Sequence, residues 1–62
     1  MKVREVIELI KDDGWEFVEQ KGSHRQFKHP EKPGRVTVPG HESDDLRPKT
    51  IASILRQAGL KS

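Results

Sequence analysis

The 62-residue chain has no cysteine, no apolar run long enough to cross a bilayer, no internal repeat and no low-complexity or linker-like stretch. Each absence removes a class of protein. Without cysteine there is neither a disulfide framework nor a thiolate zinc site. The opening "MKVREVIELIKDDG" interleaves charges with its apolar residues, so it holds no signal-peptide core, and a soluble cytoplasmic protein is the expectation. With no linker, residues 1–62 are expected to form a single domain. A chain this short lies near the lower limit for burying enough apolar surface to fold alone, which leaves no room for a deep enclosed pocket. Function should therefore sit on an open surface, and an extended partner suits such a surface better than a small metabolite does.

What the sequence does have is an uneven distribution of charge. The formal net charge is +2, but residues 1–20 carry three Lys/Arg against six Asp/Glu, a net −3. Residues 21–41 carry Lys21, Arg25, Lys28, Lys32 and Arg35 against Glu31 alone, a net +4, and hold all three histidines as well. A local positive surface is the electrostatic footprint of phosphate binding, and it is also the composition of an ordinary solvated face.

Hydrophobic spacing gives the elements. Val3, Val6, Ile7 and Ile10 follow the i, i+3, i+4, i+7 pattern and predict a helix over about residues 2–12, stopped by Gly14. Asp12 and Asp13 lie at its negative end, where carboxylates are mildly unfavourable; solvation or partner contact would explain them. Trp15 and Phe17 open a first strand that runs to the Gly22-Ser23 turn, a second strand covers about 24–29, and "RVTV" is a third, with Val36 and Val38 on one face. Pro48 suits the first turn of a second helix with Ile51, Ile54, Leu55 and Ala58 as its apolar stripe and Gly59 as its stop. The order αβββα predicts an α+β fold: a three-stranded antiparallel sheet with both helices on the face bearing Trp15, Phe17, Phe27, Val36 and Val38. The other face is left to solvent.

Alternation then places the histidine of "KGSHRQFKHP". If Phe27 points into the core, Arg25 and His29 share its side, while His24, Gln26 and Lys28 point to the open face. An imidazole there can take a proton from a ribose 2′-hydroxyl, with Lys21, Arg25 and Lys28 nearby to stabilise charge on a phosphate. Gly22 lets a backbone amide approach a phosphate oxygen closely. A surface histidine can equally be inert. Other readings of these residues are weaker. His24 and His29 face opposite sides, which argues against a shared metal, and Ser23 lacks an orienting carboxylate and suits the turn better than nucleophilic attack. Trp15, beside a glycine stop, is expected in the core and not as a base-stacking platform. Arg47 and Lys49 flank the start of the second helix, where free backbone amides favour a second phosphate contact.

The stretches "DGWEFVEQKGSHRQFKHP", "PGRVTVPGH" and "TIASILRQAGL" together resemble the HicA-type toxins of bacterial and archaeal toxin-antitoxin pairs, over nearly the whole chain. The resemblance implies a double-stranded-RNA-binding-domain-like fold and a type II toxin that cleaves mRNA without a metal or other cofactor. The family's catalytic histidine falls on His24, and Gly22 matches the glycine of the same motif, with no departure that would mark an inactivated copy. Lys21, Gly22, Ser23, Arg25, Lys28, Arg47 and Lys49 are the candidate RNA contacts. The resemblance also implies a HicB-type antitoxin that masks the open sheet face around His24. Two alternatives stay open: a non-catalytic RNA-binding module of the same fold, and a pure protein-interaction module.

Overall fold

The computed structural model describes residues 1–60, in the order α1 (Val3–Asp12), β1 (Glu16–Lys21), β2 (His24–Lys28), β3 (Arg35–Val38) and α2 (Pro48–Gln57). The three strands form one antiparallel sheet in sequence order. This is the α+β arrangement expected from the hydrophobic pattern.

Both helices end in the same way, because each is followed by a glycine and then a large apolar residue. Beyond α1, the Gly14 amide donates to the Lys11 carbonyl and the Trp15 amide to the Ile10 carbonyl, while Gly14 takes a φ of +106°. Beyond α2, Gly59 donates to Arg56 and Leu60 to Leu55 in the same pattern. This paired 6→1 and 5→2 bonding satisfies the last helical carbonyls and turns the chain sharply. At the other end of α1, the Val3 and Arg4 amides donate to the carbonyls of Asp44 and Glu42, so the loop before α2 caps the first helix.

Val3, Val6, Ile7 and Ile10 of α1 meet Trp15, Phe27, Val36, Val38, Ile54 and Ala58 in a single core. Trp15 is 1% exposed, and its indole N–H donates to the Ala58 carbonyl at 3.3 Å, which makes it a core anchor as expected. Of the predicted α2 stripe, Ile54 and Ala58 are buried while Ile51 and Leu55 pack at the edge, partly covered.

Phe17 departs from expectation. It pairs with Phe27 across β1 and β2 and stacks edge-on against it at 6.0 Å, so it does lie on the helix side, yet it is 50% exposed. The reason is its strand: β1 is the sheet edge, all six of its residues are exposed, and the helices cover β2 and β3. Val18 sits at a register shift between Phe17 and Glu19 and is 44% exposed. A bulge of this kind twists an open edge away from further strand pairing. The opposite edge is closed by α2, whose Gln57 side-chain oxygen accepts the Thr37 amide at 3.2 Å.

Candidate functional site

The β1–β2 connection is two residues long, because Lys21 and His24 are direct partners. Gly22 has a φ of +59° and Ser23 does not, the φ signature of a type II′ turn, which asks for glycine at its first central position. The Gln20 side chain fastens the turn by donating to the Gly22 carbonyl at 2.8 Å. His24 is thereby held at the first position of β2, where alternation sets it on the face opposite the core residue Phe27.

Cross-strand partners share a face, so the two registers map the open side as three rows. Lys21 and His24 form the first row, Glu19, Gln26 and Thr37 the second, and Glu16, Lys28 and Arg35 the third. The face is thus less uniformly basic than the charge of residues 21–41 suggests, since β1 contributes two glutamates. One of them is drawn off: Arg35 bonds Glu19 at 3.3 Å, which pulls that carboxylate toward the third row and away from His24. Lys28 lies four residues along the strand from His24, roughly 13 Å at strand rise. It can therefore meet a neighbouring phosphate but not the same one as Lys21.

His24 is exposed, and among the described residues no hydrogen bond engages its ring. Arg25 behaves differently from the other candidate contacts. It is half-buried on the helix side, and its guanidinium donates to the Gly40 carbonyl at 2.9 Å, bracing the loop that follows β3. Arg47 and Lys49 are exposed at the start of α2, where Arg47 lines a shallow groove with Pro39 and Thr50 but also with Asp44 and Asp45. The structure therefore gathers Lys21, Gly22, Ser23 and Lys28 on the His24 side of the sheet, leaves Arg47 and Lys49 beyond its α2 border, and turns Arg25 inward.

Beside His24 lies a groove of about 250 Å³ that the strand pattern did not foretell, walled by Thr37 and Pro39 on one side and by Thr50, Ser53 and Gln57 of α2 on the other. A signal for it exists in the sequence: Thr50, Ser53 and Gln57 recur at i, i+3, i+7 as an uncharged polar stripe flanking the apolar one. A larger concavity, about 410 Å³ between the C-terminal ends of the helices, is lined by Leu9, Leu55 and Leu60 with Asp12 and Asp13. Its acidic rim repels phosphate, and it shares no residue with the groove at His24. No cluster of three or more potential metal ligands occurs among the described residues. Nor, among them, is any helix long and apolar enough to cross a membrane.

Residues 3–60 match the family described as HicA toxin of bacterial toxin-antitoxin. Among curated proteins none matches this chain.

Proposed function

The chain belongs to the HicA toxin family, and from that membership we propose that it is a metal-independent endoribonuclease that cleaves mRNA with His24 as its catalytic residue. The observation that carries the reading is the free, exposed His24 ring at the end of an uncovered sheet face, directly opposite Lys21.

In this mechanism the unprotonated imidazole takes the proton of a ribose 2′-hydroxyl. The 2′-oxygen attacks the adjacent phosphorus, the bond to the 5′-oxygen breaks, and that oxygen takes up a proton as it leaves. The products are a 2′,3′-cyclic phosphate and a 5′-hydroxyl. Lys21 stabilises the charge that grows on the phosphate, and Gly22 and Ser23 allow the turn backbone to approach it. Lys28 holds a phosphate further along, and Arg47 and Lys49 make a second backbone contact past the α2 border. Arg25 acts through the loop it braces. A HicB-type antitoxin then silences the enzyme by covering the same face.

The deciding experiment incubates the purified protein with a long mRNA in excess chelator. Cleavage with 2′,3′-cyclic phosphate ends, lost in a folded His24→Ala protein, is the expected result. Activity that requires added metal, or fragments with 5′-phosphate ends, would overturn the mechanism. RNA binding without any cleavage would make the protein a binding module, and neither binding nor cleavage would leave only a protein-interaction role. Hydrogen exchange in the antitoxin complex should show protection across residues 20–29, whereas protection confined to the helices would refute the masking.

A further inference from the structure

We propose that the groove between the sheet face and α2 is a nucleobase subsite that seats a base adjoining the cleaved linkage; the proposal deepens the reading of His24 as the group at the scissile phosphodiester. Three observations lead there. The first is place: His24 itself lines one end of the groove, so a phosphodiester at the imidazole puts one of its flanking nucleosides within reach.

The second is lining chemistry. Apart from His24, no ionisable side chain among the described residues lines this groove, so they offer a phosphate no lysine or arginine there. Its apolar part is the Pro39 ring and the buried Ile54, and its polar part is hydroxyl and amide. An apolar floor with a few neutral polar groups is the environment of a flat, uncharged heterocycle. Lys21 lies across His24 from the groove, on β1, and Lys28 lies two rows along β2, so a strand whose phosphates follow these two lysines runs its backbone over the sheet and can turn a base toward α2.

The third is that the polar wall is pinned. The Gln57 side-chain oxygen accepts the Thr37 amide at 3.2 Å, and its nitrogen donates to the Ser53 hydroxyl oxygen at 3.3 Å. The amide therefore cannot flip without losing both bonds. Among the described residues one hydrogen on the Gln57 nitrogen has no acceptor, and Ser53, already an acceptor, keeps its own hydrogen to donate. Two neighbouring donors fit a base edge with two adjacent acceptors. Guanine presents O6 beside N7 in this way, whereas adenine sets a donor amine beside N7.

The test uses isotope-labelled His24→Ala protein titrated with each of the four nucleoside 3′-monophosphates, and, separately, the parent protein on a random-sequence RNA pool with every cut mapped. Base-dependent shifts at Thr37, Ser53 and Gln57, larger for guanosine than for adenosine monophosphate, are expected. Shifts confined to Lys21 and Lys28 and equal for all four bases mean phosphate binding alone and overturn the subsite, whatever the cleavage result. Shifts larger for adenosine overturn the donor assignment. In the pool, Ser53→Ala and Thr50→Val should each weaken the base preference beside the cut by about 2- to 10-fold, the worth of one neutral hydrogen bond. A parent that cleaves with a preference identical to that of both variants overturns the selecting role while leaving His24 catalytic. Base-dependent shifts with no cleavage by the parent leave the subsite standing and remove the catalytic reading. A groove that the antitoxin covers but no nucleotide shifts belongs to the protein interface.

Discussion

His24 opens β2 and His29 directly follows its last residue, five positions on, and their rings are treated in opposite ways. The His29 ring packs edge-on against Trp15 at 5.3 Å, and its Nδ1 accepts the backbone amides of Glu31 and Lys32 at 2.9 and 3.1 Å. With Nδ1 committed as acceptor, Nε2 must carry the hydrogen, which it donates to the Asp13 carbonyl at 2.7 Å. Around it, Lys32 ties the Asp13 carboxylate to the Ala58 carbonyl, so one knot joins the end of α1, the loop after β2 and the end of α2. Among the described residues the His24 ring has no such partners. A histidine whose nitrogens are both fixed by the fold holds structure together, and one whose nitrogens are free is available to move a proton.

The sharpest way to break this contrast is to truncate each ring. His24→Ala should lower RNA cleavage by ~10²- to 10⁴-fold, the usual worth of general acid-base catalysis, with an unchanged melting temperature. His29→Ala should do the reverse, costing about 2–4 kcal/mol of stability because three backbone groups lose their partner and Trp15 loses a neighbour. Denaturant unfolding of both variants beside a cleavage assay checks the pair. A stable His29→Ala protein, or an unfolded His24→Ala one, would erase the distinction.

The knot can also be attacked from its far side. A Cβ at Gly14 would lie 2.6 Å from the His29 Nε2 nitrogen, at a φ of +106° that side chains rarely adopt. Gly14→Ala should therefore cost about 2–5 kcal/mol, from backbone strain and overpacking together. At Gly22 a Cβ meets nothing within 4 Å, so only the positive φ opposes substitution and Gly22→Ala should cost less, about 1–2 kcal/mol.

On the open side, Lys28→Ala should leave stability nearly unaltered and reduce the salt dependence of RNA affinity by about 0.7 log units per log salt, one phosphate on a single strand. A slope equal to the parent's would remove Lys28 from the interface.

The smallest effect belongs to Asp13. Its hydrogen bond from Lys32, and the charge of that lysine, hold its carboxyl below the ordinary value of 3.8. A depressed carboxyl stabilises the fold above its unfolded value and loses that contribution as pH falls through the folded one. Asp13→Asn should therefore be slightly less stable than the parent at neutral pH, and the two should converge in acid melts below the usual carboxylate range.

The helices, the strand order and the outward direction of His24 were legible because they rest on local rules. A 3.6-residue period, a 2-residue period and a glycine past each helix end speak within a dozen residues. The bulge at Val18 was not legible, since nothing in "EFVEQ" distinguishes a paired residue from an extra one, and neither was the exposure of Phe17, which depends on how far two helices reach across a sheet. Asp13 looked misplaced at a helix C-terminus until Lys32, 19 residues on, arrived beside it. Alternation already set Arg25 on the Phe27 side although the charge count included it in the basic segment, and only the path of the loop through Gly40 supplied the carbonyl its guanidinium braces.

By itself, then, the sequence determined the elements, their order and the face on which His24 stands, because alternation and helical spacing are properties of the chain alone. Which histidine is free and which is locked, which edge of the sheet is closed, and what stands beside His24 were decided by contacts between residues 14 to 43 positions apart. Trp15 with Ala58 and Thr37 with Gln57 form only when α2 returns to the end of α1 and the edge of β3, and His29 with Asp13 only when the end of β2 comes back to the end of α1.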